Sequence, residues 1–494
     1  MKICLATVHA DARFIPLALL YLKAYLVEKR KLAAEDVQIL EFTPRATPEE
    51  IAHRVLQGAP GIVGLSCYAW NIKALMPAAR RIKSLRPDVL IVLGGPEVGP
   101  VARSVLEKCS YVDCIVKSEG ELVFTNIVAT WKAGGDIAAV KGVCFRHGSL
   151  VFETEDAPIL HDLNQLASPL RMLDGSPKGR VICIETQRGC VFRCNFCFYN
   201  KDLSIRNRRF DLGRVKEELR FWLQQDIDEI YLMDPVFNLH AARAKEICRF
   251  IAEHNQRRVM IHTEVWAEFI DDEMARLMQE ANFHHLEVGL QTTDANVLAI
   301  TERRLKLARF IEGIEHLKRH SVPFELQLIY GLPGETRASF RESLNFAASL
   351  QPPLLQVFML MVLPGTELSR KTKALKIEFD PEPPYNIRSH YSMTEEDIAY
   401  GEKVSRALAG DGAWTLRLLG REAGVAFADF IDEWIEWTDG KPAAPSAHAQ
   451  DLAQENIRQF IRHYCARKRI PPAFYEASSA IESRTWTEFA AVGV

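Results

Sequence analysis

Alternating strand and helix patterns predict an α/β protein in three parts. A doubly wound parallel sheet comes first, a partial (β/α)6 barrel second, and a mainly helical C-terminal region third. Short apolar runs alternate with amphipathic stretches through residues 1–155, and the alternation restarts at Val181 and continues to 376. Between them, residues 156–179 are punctuated by proline and glycine and read as a linker. After the proline-rich Asp380-Pro-Glu-Pro-Pro-Tyr385, only helical patterns follow. A chain of 494 residues accommodates two or three domains.

In the first part, strands are expected at residues 2–8, 37–42, 62–67, 89–93 and 112–116. Helices are expected at 16–29, 48–57 and 71–85, with another after Glu121. The apolar spacing of Leu19, Leu22 and Leu26 sets the face of the first helix. Ligands on such sheets bind beyond the carboxyl ends of the strands. The loops there, 7–14, 66–71, 94–99 and 117–121, hold the glycines and polar residues. A flavodoxin- or Rossmann-like sheet of this kind suits a flavin, a nucleotide or a cobalamin. No G-x-G-x-x-G follows the first strand, which weakens the dinucleotide option.

The second part opens with the apolar strand 181–184 and then Glu185-Thr-Gln-Arg-Gly-Cys-Val-Phe-Arg-Cys-Asn-Phe-Cys-Phe198. Cys190, Cys194 and Cys197 form a C-x3-C-x2-C run. Three thiolates on one loop suit a soft metal centre. Structural zinc usually takes four ligands, often as two separated pairs, and no second pair follows nearby. Three cysteines suit a cubane iron–sulfur cluster with one iron left open. Cys183 lies in the apolar strand and is expected to pack.

The spacing of these cysteines, with Phe196 before the third, resembles the radical SAM superfamily. That resemblance implies a 4Fe-4S cluster whose open iron chelates S-adenosylmethionine (SAM), and reductive cleavage of SAM to a 5′-deoxyadenosyl radical. Further strands are expected at 229–233, 259–263, 285–290, 325–329 and 356–362, with a helix at 212–225. By resemblance, Asp234 accepts from the SAM amino group, and Glu264, Gln291 and Thr292 line the SAM site with Phe196. Arg303 is the candidate for the SAM carboxylate, since a guanidinium pairs a carboxylate at two points; Arg304 is the alternative. The turns Gly331-Leu-Pro-Gly-Glu335 and Leu363-Pro-Gly-Thr366 resemble those of the branch that includes the Elp-type and methylthiotransferase enzymes. In a barrel the chemistry lies at the carboxyl ends of the strands.

Gly94-Gly-Pro-Glu97, then Asp113, then Ser118-Glu-Gly-Glu121 resemble the cobalamin-binding domain upstream of many radical SAM domains. The resemblance implies corrin contacts at Gly94, Gly95, Glu97, Ser118, Glu119 and Gly120, and places Tyr68 and Trp70 against its lower face. The D-x-H-x-x-G motif that supplies a histidine to cobalt is absent, and His9 is expected to be an ordinary polar loop residue. The implied domains are 1–155 for cobalamin, 156–179 as linker, 180–376 as the radical SAM barrel and 377–494 as a helical extension. Within the extension, helices are expected at 394–408, 426–437 and 451–468, with Trp434 and Trp437 packing in its core. Tyr385, His390 and Tyr391 are candidate substrate-pocket residues, and Arg206-Asn-Arg-Arg209 is a basic run read chiefly as a solvated face.

A net charge of −3 leaves no footprint of a nucleic-acid binder. No run approaches the roughly 18 apolar residues of a membrane span, and the start is too short for a signal peptide. Eleven cysteines in so long a chain are no disulfide framework, and a reducing cytoplasm is expected. Together the two resemblances imply a methyltransferase acting on an unactivated carbon of a small molecule or peptide, fed by a low-potential reductant such as flavodoxin or ferredoxin. A cyclase or rearrangement enzyme with the same cofactors is the alternative; a corrinoid-binding module without turnover is the alternative from another class.

Overall fold

The computed structural model describes residues 1–200, 207–409, 425–439, 459–460 and 462–469. Arg206, the expected linker 440–448, half of the helix expected at 451–468 and the tail with Trp486 lie outside the described residues.

The first sheet has seven strands: β1 (Ile3–Val8), β2 (Val37–Phe42), β3 (Ile62–Ser66), β4 (Leu90–Gly94), β5 (Cys114–Val116), β6 (Val143–His147) and β7 (Leu150–Glu153), in the order β2-β1-β3-β4-β5-β6-β7. The first five are parallel, but β6 and β7 form an antiparallel hairpin on the edge. The sheet is therefore not parallel throughout, as the alternation implied. Residues 117–142, with a helix among them, carry the chain from β5 to an antiparallel return, and Gly148 at positive φ makes the two-residue turn between β6 and β7.

Helices α1 (Leu17–Arg30) and α5 (Gly120–Lys132) cover one face; α2 (Pro48–Gln57), α3 (Ile72–Leu85) and α4 (Ala102–Lys108) cover the other. The α2 start is written in sequence: Thr47 and Glu50 cap each other's backbone and Pro48 supplies a pre-set φ. With helices on both sides, β1 and β3 are buried at every residue.

Helix α1 is apolar on two sides because it serves two cores. Leu19 and Leu26 pack under the first sheet. Leu20, Tyr21 and Ala24 join the core of the second domain. Lys23, also buried, reaches Asp174 at 2.8 Å. The presumed linker is correspondingly packed rather than free: Leu163, Leu166 and Ala167 are buried in that second core.

The second sheet is β8 (Val181–Ile184), β11 (Glu229–Leu232), β12 (Met260–Val265), β13 (Phe283–Gln291), β14 (Phe324–Tyr330) and β15 (Leu354–Met359), six parallel strands in sequential order. A small antiparallel pair, β9 (Gln187–Arg188) and β10 (Arg208–Arg209), flanks the cysteine loop. Outside the sheet run α6 (Leu212–Leu223), α7 (Ala241–His254), α8 (Asp272–Glu280), α9 (Ala295–Ile300), α10 (Leu307–Arg319), α11 (Arg337–Ser349) and α12 (Glu367–Lys371). Residues 13–15 of the first domain pair alongside β8, with Phe14 opposite Val181. The Ile15 amide donates to the Val181 carbonyl and the Val181 amide to the Arg13 carbonyl.

Helix α13 (Glu395–Leu408) closes on β15, and its Gly401 lies so near the ring of Tyr330, the last residue of β14, that a Cβ would stand 2.3 Å away. Helix α14 (Phe427–Thr438) packs on α11 and α13. Trp434 and Trp437 stack within this region, with centroids 5.8 Å apart.

Candidate functional site

A cavity of about 660 Å³ lies where the carboxyl ends of the two sheets meet. One wall comes from the loops after β1, β3, β4 and β5: it includes His9, Tyr68, Trp70, Gly94, Gly95 and Ser118, Glu119 and Gly120. The opposite wall is the start of the cysteine loop, with Glu185, Gln187 and Arg188, together with Phe198, Tyr199 and Met233. Cys183 is buried, as its strand position implied, and borders the same space.

On the first wall, Gly95 has φ +108°, and a Cβ there would stand 2.4 Å from the Cys67 carbonyl oxygen. Only glycine lets these two loops lie together. Tyr68 and Trp70 stack with ring centroids 4.3 Å apart, and Trp70 is 60% exposed at the rim. His9 gives its ring Nε2 to Glu41 at 2.7 Å. One residue departs from the expected set. Glu97 does not line the cavity; its carboxylate accepts from the Tyr385 hydroxyl. Burial raises its pKa, with Tyr385 opposing. Two residues expected in different pockets thus bind each other across the domain boundary.

On the second wall, the loop is held from several sides. The Asn195 amide donates to Thr301 O, its side chain to Ile300 O, and the Leu368 amide to Asn195 O. Phe192 stacks on Trp266 with centroids 3.5 Å apart, and the Arg303 guanidinium sits over the other ring at 4.9 Å. Arg303 also approaches the Cys194 sulfur at 3.8 Å. Phe196 is partly buried against the barrel core.

Burial pushes the Cys197 thiol up to about 12, opposed by the Tyr199 amide and reinforced by its sister thiols. Burial likewise raises Cys190, with the Phe192 amide opposing. Thiols this desolvated ionise when a metal charge compensates them. Among the described residues, no three His, Cys, Asp or Glu side chains converge as ligands of a single ion. A cubane binds each cysteine through a different iron, so its sulfurs stand apart around it. One buried and two partly buried thiols on one loop, sulfur-facing amides and an adjacent guanidinium fit such a cluster.

Two expected SAM contacts are turned inward. Asp234 is fully buried, and its oxygens accept from the Thr186 amide at 2.7 Å, the Thr186 hydroxyl at 2.5 Å and the Gln187 amide at 3.1 Å. Burial pushes it up to about 7. It pins the turn leading into the cysteine loop. Thr292 is fully buried and engages Ser343 and the Asp294 amide. Gln291, at φ +68°, keeps a buried Oε1 without a partner, which fits a hydrogen-bond donor from a bound molecule. Arg304 is exposed, so Arg303 is the arginine of the two that lies beside the cysteine loop. None of Tyr385, His390 and Tyr391 lines the cavity. His390 is buried against Ser392, and Tyr391 is half exposed beside Gly334.

The lumen of the barrel is polar, which the periodicity did not reveal. From inward positions on five strands come Glu229, Tyr231, His262, Glu264, His285, Glu287, Glu325, Gln327 and Gln356. His262 bonds Glu287 at 2.8 Å, His285 bonds Glu325 at 3.0 Å, and Gln327 bridges both carboxylates. Burial opposes charge on His262, yet Glu229 and Glu287 outweigh it and lift its pKa to about 9. Glu264, beneath the cysteine loop, accepts from Tyr231 at 3.2 Å; burial pushes it up to about 7. Glutamates and histidines at every second strand position carried the signal, hidden by reading those strands only for apolar content.

Sequence reasoning also missed the ion network joining the walls. Arg208 clasps Glu119 with both terminal nitrogens, and Arg188 reaches Glu121 at 2.7 Å and Glu185 at 2.8 Å. The basic run read as a solvated face thus holds a nearly buried residue, Arg208.

Comparison with known proteins places this architecture. Residues 2–128 match the B12 binding domain family and residues 184–347 the Radical SAM superfamily. The chain therefore joins these two domains in the arrangement of the cobalamin-dependent radical SAM group, and its cofactors are cobalamin, SAM and a 4Fe-4S cluster. Among its relatives is the cobalamin-dependent radical SAM methyltransferase TokK of Streptomyces tokunonensis, 29% identical over 73% of this chain and 55% of that protein. The anaerobic magnesium-protoporphyrin IX monomethyl ester cyclase of Cereibacter sphaeroides is 25% identical over 72% of this chain and 61% of its own length. The chain thus spans just over half the length of these curated relatives. The radical SAM methyltransferase TsrM of Kitasatospora setae, solved with cobalamin and a [4Fe-4S] cluster, shares the fold with a TM-score of 0.65 at 15% identity, covering 88% of this chain and all of that one.

Proposed function

We propose that the protein is a radical methyltransferase, acting on an unactivated carbon of a small molecule or peptide. The observation that carries this is the shared cavity: corrin-side loops and the cysteine loop face each other across one space of about 660 Å³. When bound, the cofactors supply an electron, a hydrogen-abstracting radical and a transferable methyl group.

The chain's residues supply position and exclusion of water. Cys190, Cys194 and Cys197 would hold the cluster, with the Phe192–Trp266 stack fixing the loop. Arg303 and Gln291 would hold SAM, Arg303 by a charge-assisted contact with its carboxylate. Gly94, Gly95, Ser118, Gly120, Tyr68 and Trp70 would cradle the corrin. Glu264, with its raised pKa, can hold a proton near neutrality in the barrel lumen beside Tyr231. None of the eleven cysteines is in a disulfide, which suits a reducing cytoplasm and a low-potential protein reductant such as flavodoxin or ferredoxin. Among the described residues, no helix is long and apolar enough to cross a membrane. Methyl transfer agrees with the name of the methyltransferase relative.

The test is anaerobic reconstitution with methyl-labelled SAM and a low-potential reductant. Label on the corrinoid together with released 5′-deoxyadenosine is expected. Release of 5′-deoxyadenosine with no label ever reaching the corrinoid favours the cyclase chemistry that the second relative's name describes. Neither product leaves a binding module and overturns the enzyme reading.

A further inference from the structure

We propose that Glu119 and Glu121 on one side, and Arg188 and Arg208 on the other, form a clamp that fixes the corrin cradle in register with the cluster loop. This rests on the two-cofactor reading above. It makes Glu119 a positioning residue rather than the corrin contact its motif implies.

Arg188 and Arg208 occupy paired positions of β9 and β10, the two short strands that flank the cysteine loop. Arg188 stands two residues before Cys190. Opposite them, Glu119 and Glu121 belong to the loop and first turn of α5, where Ser118, Glu119 and Gly120 line the cavity. Arg208 donates to Glu119 Oε2 at 3.0 Å, to Glu119 Oε1, and to the Leu160 carbonyl at 2.7 Å. Arg188 lies over the Tyr21 ring of α1 at 5.0 Å. One guanidinium is therefore forked onto the corrin-side loop, and the other is wedged between that loop and the helix shared by both cores.

A fork of this kind fixes orientation as well as distance. The Arg188 and Glu121 side chains are only 12% and 10% exposed, so salt and water screen that pair little, whereas Arg208, 8% exposed, meets a Glu119 side chain that is 34% exposed. Acids at a helix start are ordinary. Two of them answered by two arginines from the other domain, on the hairpin that carries the cluster ligands, are not. A reaction shared between two cofactors loses rate steeply when their relative placement drifts, about 100-fold for 1 Å in favourable cases.

The test reads geometry directly in the holoprotein. Cob(II)alamin and the reduced cluster are both paramagnetic, and their dipolar coupling falls with the cube of their separation. In Arg208→Gln and Glu119→Gln, iron content and corrinoid binding should stay within about twofold of the parent, while the dipolar splitting of the cob(II)alamin signal broadens into a distribution. In the apoprotein, amides of residues 118–121 should exchange about tenfold faster. If Arg208→Gln does not fold, Arg208→Lys keeps the charge and loses the fork, and it should broaden the signal too. An unchanged splitting with both cofactors present overturns the clamp. So does corrinoid loss in Glu119→Gln with Arg208→Gln unaffected, which would make Glu119 a corrin contact. A parent protein that binds both cofactors but transfers no methyl sinks the proposed function and leaves these measurements valid. A parent that takes up no corrinoid also sinks it, and the exchange rates then judge the clamp.

Discussion

The two parallel sheets handle their faces differently. In the first, β1 and β3 are buried at every position, and both faces are packed under helices. In the second, β13 and β14 alternate buried and partly exposed residues, and the inward set is glutamate, histidine and glutamine. A closed (β/α)8 barrel fills its interior with apolar layers. This partial barrel keeps a titratable lumen beneath the cysteine loop instead. The first sheet can present chemistry only at its strand ends, whereas the second presents it at the ends and along one face.

The sharpest way to break this division is at the ends. Replacing Cys190, Cys194 or Cys197 with Ala should abolish iron binding and SAM cleavage outright while leaving corrinoid binding intact, as iron and corrinoid quantification will show. Joint loss of both would mean that the two halves are not separable. Next in size is the packed face. Leu65→Ala, at a 2% exposed position on β3, should cost about 2–5 kcal/mol in urea unfolding. A change below about 1 kcal/mol would deny that the first sheet is a close-packed core.

The lumen predicts a pH signature that the first sheet lacks. His262 titrates near 9 in the folded protein and near 6.5 when unfolded. Its raised value stabilises fully below about pH 6.5, and that stability is lost as pH rises through 9. The parent should lose on the order of 1–3 kcal/mol across this window. His262→Phe should be less stable at pH 6.5 yet show a shallower decline, and an equal slope would remove His262 from the account. The smallest effect is at the rim: Trp70→Ala should change stability by less than about 0.5 kcal/mol and weaken corrinoid binding about three- to tenfold. Unchanged affinity would take the aromatic pair out of the cradle.

Strand and helix order was readable because β-α alternation is a period signal, and the strand starts came within a residue or two. The cysteine loop was readable because its ligands are local in sequence. The rest depends on contacts between distant positions. Nothing near Asp234 announces that Thr186 and Gln187 will occupy it, and nothing near Glu97 announces Tyr385. The hairpin of β6 and β7 was lost because an edge ribbon with exposed Leu150 and Phe152 lacks the buried pattern of a central strand. The lumen was lost because strands were searched for apolar content, when in β13 the polar half of the alternation carries the site.

The pairing of residues 13–15 along β8 has a practical consequence for anyone dissecting this chain. A fragment beginning near residue 180 would bare the Val181 amide and carbonyl and so extend the open edge of β8, a template for sticking to its own kind. Such a fragment should precipitate or self-associate however intact its cysteine loop is. Supplying the first 155 residues separately would have to restore that missing flank before any iron chemistry could be judged.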